Sequence, residues 1–261
     1  MLKKRLIGVV TVRNGWAVQS FGYRRYLPLG RPECLVENLD RWGVDEILVQ
    51  SIDRSAAGLG PDFPLLDRLA RLGLSTPLIY GGGIASVKHG VEVVQRGADR
   101  VSVDALLQDD IAEVGRLSAK LGSQAIIASL PVECKAGALQ VLDYIGRSSR
   151  PISSGFAKLV SHGHVSEVML TDWRNEGGSD AFDDAIEDAF DCPGGDLILF
   201  GGITGVARMC SLLERERVAA IAIGNSLSYR EHAVQQIRKG LRSDNLRPST
   251  FAEKFPLLRH D

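Results

Sequence analysis

Glycines stand directly behind apolar runs at three places where a helix can follow. Gly82 and Gly83 come after Pro77–Gly81, Gly201 and Gly202 after Asp196–Phe200, and Gly224, Asn225 and Ser226 close Ala219–Gly224. A glycine puts no side chain between backbone N–H groups and an anion, and a helix N-terminus adds partial positive charge. The chemistry indicated is phosphate binding, with sites drawn at Gly82, Gly83 and Asp104 in the first half and at Gly201, Gly202, Gly224 and Asn225 in the second. The site in the first half of the chain is expected to be the weaker one. Its neighbouring strand ends in Asp104, and a carboxylate repels phosphate unless it is protonated or paired. The same glycines also suit tight turns that hold no ligand.

Other chemistries find little support. The four cysteines, Cys34, Cys134, Cys192 and Cys210, never fall within three residues of one another, so no zinc pattern exists. His162 and His164 straddle a glycine and read as a polar helix end. No metal and no cofactor is expected. The thiols are expected to stay reduced, which suits a cytoplasmic protein. With a net charge of −1 and no run of like charge, a nucleic-acid footprint is not expected. No apolar run approaches the roughly 18 residues of a membrane span. Leu6–Val12 is too short, and lacks a small-residue cleavage site, for a signal peptide.

The elements that carry these residues alternate. Apolar runs at Leu6–Val12, Glu46–Ser51, Pro77–Gly81, Arg100–Asp104, Gln124–Leu130, Glu167–Asp172, Asp196–Phe200 and Ala219–Gly224 read as strands covered on both faces. Between them apolar residues take helical steps, as in Leu65, Leu66, Leu69 and Leu72, or in the stretch after Ser86, a candidate N-cap. Eight β-then-α units predict a single (β/α)8 barrel. An open doubly wound sheet would want GxGxxG after the first strand. Instead Arg13-Asn-Gly-Trp16 reads as a hairpin turn.

The chain also repeats itself at a period of about 120 residues. Glu46-Ile-Leu-Val answers to Glu167-Val-Met-Leu, Gly81-Gly-Gly-Ile to Gly201-Gly-Ile, and Arg100-Val-Ser-Val-Asp-Ala to Ala220-Ile-Ala-Ile-Gly-Asn. One domain, 1–261, is therefore expected to consist of two similar half-barrels, about 1–121 and 122–245, with a tail at 246–261. Arg13–Gly30 and Val132–Ser154 are matching insertions, the second with a hairpin expected over Gly137–Gly146.

Taken together, Lys4-Arg-Leu-Ile, Gly43-Val-Asp-Glu-Ile-Leu, Tyr80-Gly-Gly-Gly-Ile, Gly97-Ala-Asp-Arg-Val-Ser and Gly122-Ser-Gln, in this order and spacing, resemble the cyclase subunit of imidazole glycerol phosphate synthase. The resemblance implies a barrel that takes ammonia from a glutaminase subunit docked at its N-terminal face. The ammonia would be used at the opposite face, on a phosphorylated acceptor. It further implies a gate of alternating charges at Arg5, Glu46, Arg100 and Glu167, a partner contact at Asp99, and a phosphate-loop residue at Gly177. The four are expected to close a ring of exposed ion pairs at the N-terminal face, worth only about 0–1 kcal/mol each; the alternative is that they are ordinary solvated strand ends.

The family's acid/base pair is not retained. Its two aspartate positions fall on Thr11 and Pro131, its hairpin lysine on Gln19, and its phosphate-loop aspartate on Glu176. Neither threonine nor proline performs carboxylate proton transfer. This resembles a divergent branch associated with acetamidino modification of polysaccharide sugars, where the acceptor is a phosphorylated or nucleotide sugar. Two alternatives stay open. One is a working cyclase of histidine biosynthesis with relocated groups, such as Asp53, Asp172 or Glu133. The other is a non-catalytic barrel that binds a phosphorylated ligand.

Overall fold

The computed structural model describes residues 3–144, 146, 148–228, 232–241 and 246–248. Its strands are β1 (Arg5–Arg13), β2 (Trp16–Phe21), β3 (Arg25–Gly30), β4 (Glu46–Ser51), β5 (Leu78–Gly81), β6 (Arg100–Val103), β7 (Ile126–Lys135), β8 (Ala138–Asp143), β9 (Ser148–Pro151), β10 (Glu167–Asp172), β11 (Asp196–Phe200) and β12 (Val218–Ile223). Parallel pairing runs β1-β4-β5-β6-β7-β10-β11-β12 and returns from β12 to β1. The sheet therefore closes into the eight-stranded (β/α)8 barrel, with a helix or turn crossing between successive parallel strands.

Local chemistry sets the element ends. Ser86 caps the helix Val87–Gln95, its hydroxyl accepting from the His89 N–H at 3.2 Å. The helix Phe63–Ala70 turns Leu65, Leu66 and Leu69 fully inward against the sheet. The helix Val206–Glu214 is capped from a distance, as the Asp180 carboxylate accepts from the Thr204 N–H at 3.0 Å and from the Gly205 N–H. At the N-terminal end, buried Lys4 donates to the carbonyls of Arg215, Glu216 and Val218, tying the start of β1 to the approach to β12.

The two insertions are built alike. Arg13 pairs with Trp16 across Asn14 (φ 50°) and Gly15 (φ 77°). Lys135 pairs with Ala138 across Ala136 (φ 51°) and Gly137 (φ 76°). Both are two-residue turns with two left-handed residues, the type that matches strand twist. The second corrects the expected boundaries. The strand begins at Ile126 and runs past Leu130 to Lys135, and the turn lies at Ala136–Gly137. Pairing from β6 ends at Ala128, so Pro131 lies beyond that neighbour, while β10 on the other side sets Thr171 opposite it. Most of the tail expected at 246–261 lies outside the described residues; Leu246 bridges to Lys4.

Packing divides into two parts. A large apolar shell lies between barrel and helices. A smaller one fills the barrel, with Ile7, Val9, Leu48, Ile79, Ile127, Met169, Ile198, Phe200, Ala220 and Ala222. The glycine pairs behind β5 and β11 share one backbone path, with φ of 115° and 71° at Gly82 and Gly83 and 104° and 70° at Gly201 and Gly202. A Cβ on Gly82 would lie 2.1 Å from the Ser51 carbonyl oxygen, and one on Gly201 2.4 Å from that of Asp172. Each pair thus lets its turn pass the end of the preceding barrel strand. Gly201→Ala is expected to cost at least about 3 kcal/mol, combining strain and backbone collision. Gly137→Ala, left-handed but facing open space, is expected to cost only about 1–2 kcal/mol. Urea unfolding of both variants checks the difference.

Candidate functional site

At the N-terminal end of the barrel four side chains form a closed ring. Arg5 pairs with Glu46 at 3.0 Å and with Glu167. Arg100 pairs with Glu46 at 3.4 Å and with Glu167 at 2.5 Å. Each carboxylate sits between two guanidinium groups. Arg100 also donates to the Gln124 carbonyl at 3.0 Å and to Ser166 Oγ at 2.9 Å. The pairs are not the exposed ones expected of strand starts, since the four side chains are only 7–12% exposed. The tilt of the strands carries their first inward residues inside the rim. Burial raises the pKa of Glu46 against the pull of Arg5 and Arg100. For Arg5 burial opposes the charge, but Glu167 and Glu46 outweigh it and hold the proton more firmly. The members come from β1, β4, β6 and β10. Arg5 therefore stands on a strand directly beside that of Glu46, and the donors do not simply skip every other strand.

Above the ring lies the apolar filling, and above that a polar mouth. Thr11 is buried on β1, two residues beyond Val9. Pro131 lines a cavity of about 500 Å³ at the C-terminal ends of the strands, together with Gln50, Ser102, Ser129, Thr171 and Asp104. Tyr23, on the turn between β2 and β3, packs onto the barrel filling, and its hydroxyl donates to Gln50 Oε1 at 3.4 Å. Thr171 is 2% exposed, and its hydroxyl has no hydrogen-bond partner among the described residues.

A second, smaller cavity of about 160 Å³ is lined by Gly177, Gly201, Gly202, Gly224, Asn225 and Ser226, among others. Its wall brings together the glycine-bearing ends of β11 and β12 with Gly177. A Cβ on Gly177 would strike the Ser20 carbonyl oxygen at 2.2 Å. The Asn225 side chain is anchored to Ser20, donating to its carbonyl at 2.6 Å and accepting from its N–H at 3.2 Å, which leaves the backbone and the second amide N–H to meet an anion. Ser226 Oγ is buried and has no partner among the described residues. Glu176, on the same wall, accepts from Ser20 Oγ at 2.8 Å, and burial raises its pKa.

The first-half counterpart is arranged differently. The Gly83 N–H donates to Ser55 Oγ at 2.9 Å. Asp104 accepts from the Ala105 N–H at 2.6 Å and from the Tyr144 hydroxyl at 2.9 Å. Burial raises the Asp104 pKa, opposed by these two hydrogen bonds. Gly82 lines the larger cavity with Asp104.

Of the carboxylates considered for relocated acid/base work, only Asp53 lines the larger cavity, and it accepts from the Asn14 N–H at 2.8 Å. Glu133 is held by Arg174 and by Ser149 Oγ at 2.7 Å. Burial pushes its pKa up, but these partners outweigh it and hold it below the usual range. Asp172 accepts from Asn175 Nδ2 at 2.8 Å and the Asp183 N–H at 2.9 Å, fixing its own loop. Gln19 is buried. Asp99 is exposed at the N-terminal end, with one oxygen accepting from the Leu78 N–H at 2.7 Å. Tyr23, Gln50, Tyr144 and Thr171 were not anticipated. The two-residue alternation Glu46, Leu48, Gln50 and Glu167, Met169, Thr171 would have pointed to two of them. Among the described residues no group of histidine, cysteine or carboxylate side chains is placed to hold a metal ion.

The model of the family described as histidine biosynthesis protein matches residues 5–233. The chain belongs to the histidine biosynthesis protein family. Within it, a protein of Vibrio vulnificus provisionally named imidazole glycerol phosphate synthase subunit hisF2 is 26% identical over 94% of this chain and 91% of its own length. The imidazole glycerol phosphate synthase subunit HisF of Exiguobacterium is 25% identical over 94% and 96%. That of Thermococcus gammatolerans is 25% identical over 92% and 96%. The resemblance to the cyclase subunit thus extends over nearly the whole chain. Among the described residues no helix of this family member is long and apolar enough to cross a membrane.

Removing one cation from the ring leaves two buried carboxylates with a single guanidinium between them. Arg100→Ala is expected to lower stability by about 3–5 kcal/mol, the cost of an uncompensated buried charge. Urea unfolding at neutral pH measures it. A loss under 1 kcal/mol would show that the ring is solvated in solution.

Proposed function

We propose that this chain is the ammonia-accepting barrel of a glutamine-dependent amidotransferase, with a glutaminase docked on its N-terminal face beside Asp99. The observation that carries the reading is the closed, buried ring of Arg5, Glu46, Arg100 and Glu167 at one end of an apolar barrel whose other end is a polar cavity. Four buried charges are an expensive way to close a barrel that apolar side chains would close as well. An arrangement whose pairs can be exchanged when a partner docks gives the charges a purpose. The acceptor is a phosphorylated or nucleotide sugar, its phosphate held by the backbone at Gly177, Gly201, Gly202, Gly224 and Asn225. The product is an acetamidino sugar of a polysaccharide, and the reaction is not the cyclisation of histidine biosynthesis. Thr11 and Pro131 stand at the two positions where the cyclase uses aspartates.

Two measurements test this. Purified chain supplied with ammonia and the histidine intermediate is expected to show no cyclase turnover, because each missing acid/base group removes about 10²–10⁴-fold in rate. Thr11→Asp is expected not to restore it while Pro131 remains. Turnover by the unmodified chain would refute the assignment.

The second measurement concerns the conduit. In a complex with the glutaminase encoded in the same genome, Glu46→Gln keeps the side-chain shape and removes one charge of the ring. It is expected to raise the glutamate released per product formed at least threefold. An unchanged ratio would leave the ring without a role in ammonia transfer.

A further inference from the structure

The two cavities at the C-terminal ends of the strands share a backbone plan but not a chemistry. The glycine pairs behind β5 and β11 follow the same path, and the strand β6 stands to the first pair as β12 does to the second. At the end of β12 comes Gly224, with no side chain, and at the end of β6 comes Asp104. Two of the backbone donors that would meet an anion in the first half are already used. The Gly83 N–H serves Ser55 Oγ, and the Ala105 N–H serves the Asp104 carboxylate. Two carboxylates, Asp53 and Asp104, face this cavity against one guanidinium, Arg13, which lies over the Tyr26 ring at 4.6 Å. At the other end the Ser226 hydroxyl is buried beside glycine backbone and has no partner among the described residues.

We infer that the mouth binds a ligand with its anionic phosphate at one end only, in the Gly202–Gly224–Ser226 cradle, and an uncharged, hydroxyl-rich ring at the other, against Asp104 and Thr171. This rests on the proposed phosphate cradle and narrows its substrate class. A carboxylate accepts hydrogen bonds from ligand hydroxyls and repels a second phosphate. Asp104 is preset for that role by Tyr144 and its own turn: Oδ2 accepts from the Tyr144 hydroxyl and Oδ1 from the Ala105 N–H, which fixes the carboxylate and leaves each oxygen one further lone pair for a ligand hydroxyl. Thr171, buried at 2% exposure with a hydroxyl unpartnered among the described residues, supplies a further polar contact from the floor. A volume of about 500 Å³ accommodates a sugar ring.

Calorimetric titration of the full chain with inorganic phosphate, a hexose 1-phosphate and a hexose 1,6-bisphosphate tests the inference. One inorganic phosphate should bind per chain, and the monophosphate should bind at least tenfold more tightly than the bisphosphate. Asp104→Asn keeps a side chain able to cap the following backbone and should shrink that preference to threefold or less. Thr171→Val should weaken the hexose 1-phosphate at least threefold and leave inorganic phosphate unchanged. A bisphosphate that binds as tightly as the monophosphate would overturn the inference, as would an Asp104→Asn variant with an unmoved preference. If inorganic phosphate binds and the sugar adds no affinity, the inference fails while the cradle stands. If no phosphate compound binds, the cradle itself is refuted, and the inference with it.

Discussion

Two guanidinium groups and two carboxylates meeting inside the rim of the barrel set the terms for the rest of the molecule. Each ion alone would carry a desolvation penalty of several kcal/mol. Only closure of the circle offsets it, because every carboxylate then touches two cations. Closure in turn requires β1, β4, β6 and β10 to start at matching heights. The parallel register supplies that, setting Ile7 against Glu46 and Ile127 against Glu167. Lys4, bound to three carbonyls near β12, and Asp45, accepting from the Leu6 N–H at 2.8 Å, pin the same strand ends. The ring and the register are thus mutually dependent.

At the opposite rim the controlling element is backbone rather than charge. Left-handed glycines let the turns after β5 and β11 pass within contact of the ends of β4 and β10. Such turns are needed whether or not a ligand is present, so the glycines alone do not distinguish a cradle from a corner. The side chains differ between the two. The second-half corner leaves a buried hydroxyl without a partner among the described residues, whereas the first-half corner is filled by Asp104, Ser55 and Tyr144. One backbone plan used twice has been given two different linings.

Much of this was legible in the sequence because it is local. Continuous Val, Ile and Leu runs mark strands covered on both faces, Asn14-Gly15 marks its turn, and Ser86 marks a helix start. The repeat brought the glycine pairs into correspondence, and the resemblance selected the four ring residues. What escaped depends on distance in the chain. Burial of the ring follows from strand tilt in the closed barrel, which no single strand reveals. Tyr23 and Tyr144 reach the mouth from hairpins whose path over the rim has no local signature. The fifth barrel strand was read as ending at Leu130. It continues through Pro131, beyond the end of β6 but still beside β10, where Thr171 stands opposite the proline. Glu133 read as a spare acid, and Arg174, forty-one positions on, makes it a structural anion.

Between the ring and the mouth stands a belt of Ile7, Leu48, Ile79, Ile127, Met169 and Ile198. Hydrocarbon of this kind has nothing with which to replace a hydration shell, and an ion entering it would meet a barrier of many kcal/mol. Under the ammonia-conducting function proposed above, such a belt would act as a charge filter. It would admit neutral ammonia and turn back ammonium, so the proton would have to be left on the partner's side. Any proton needed at the mouth would come from the mouth's own groups or its solvent, and the two faces would exchange a nucleophile without sharing a pH.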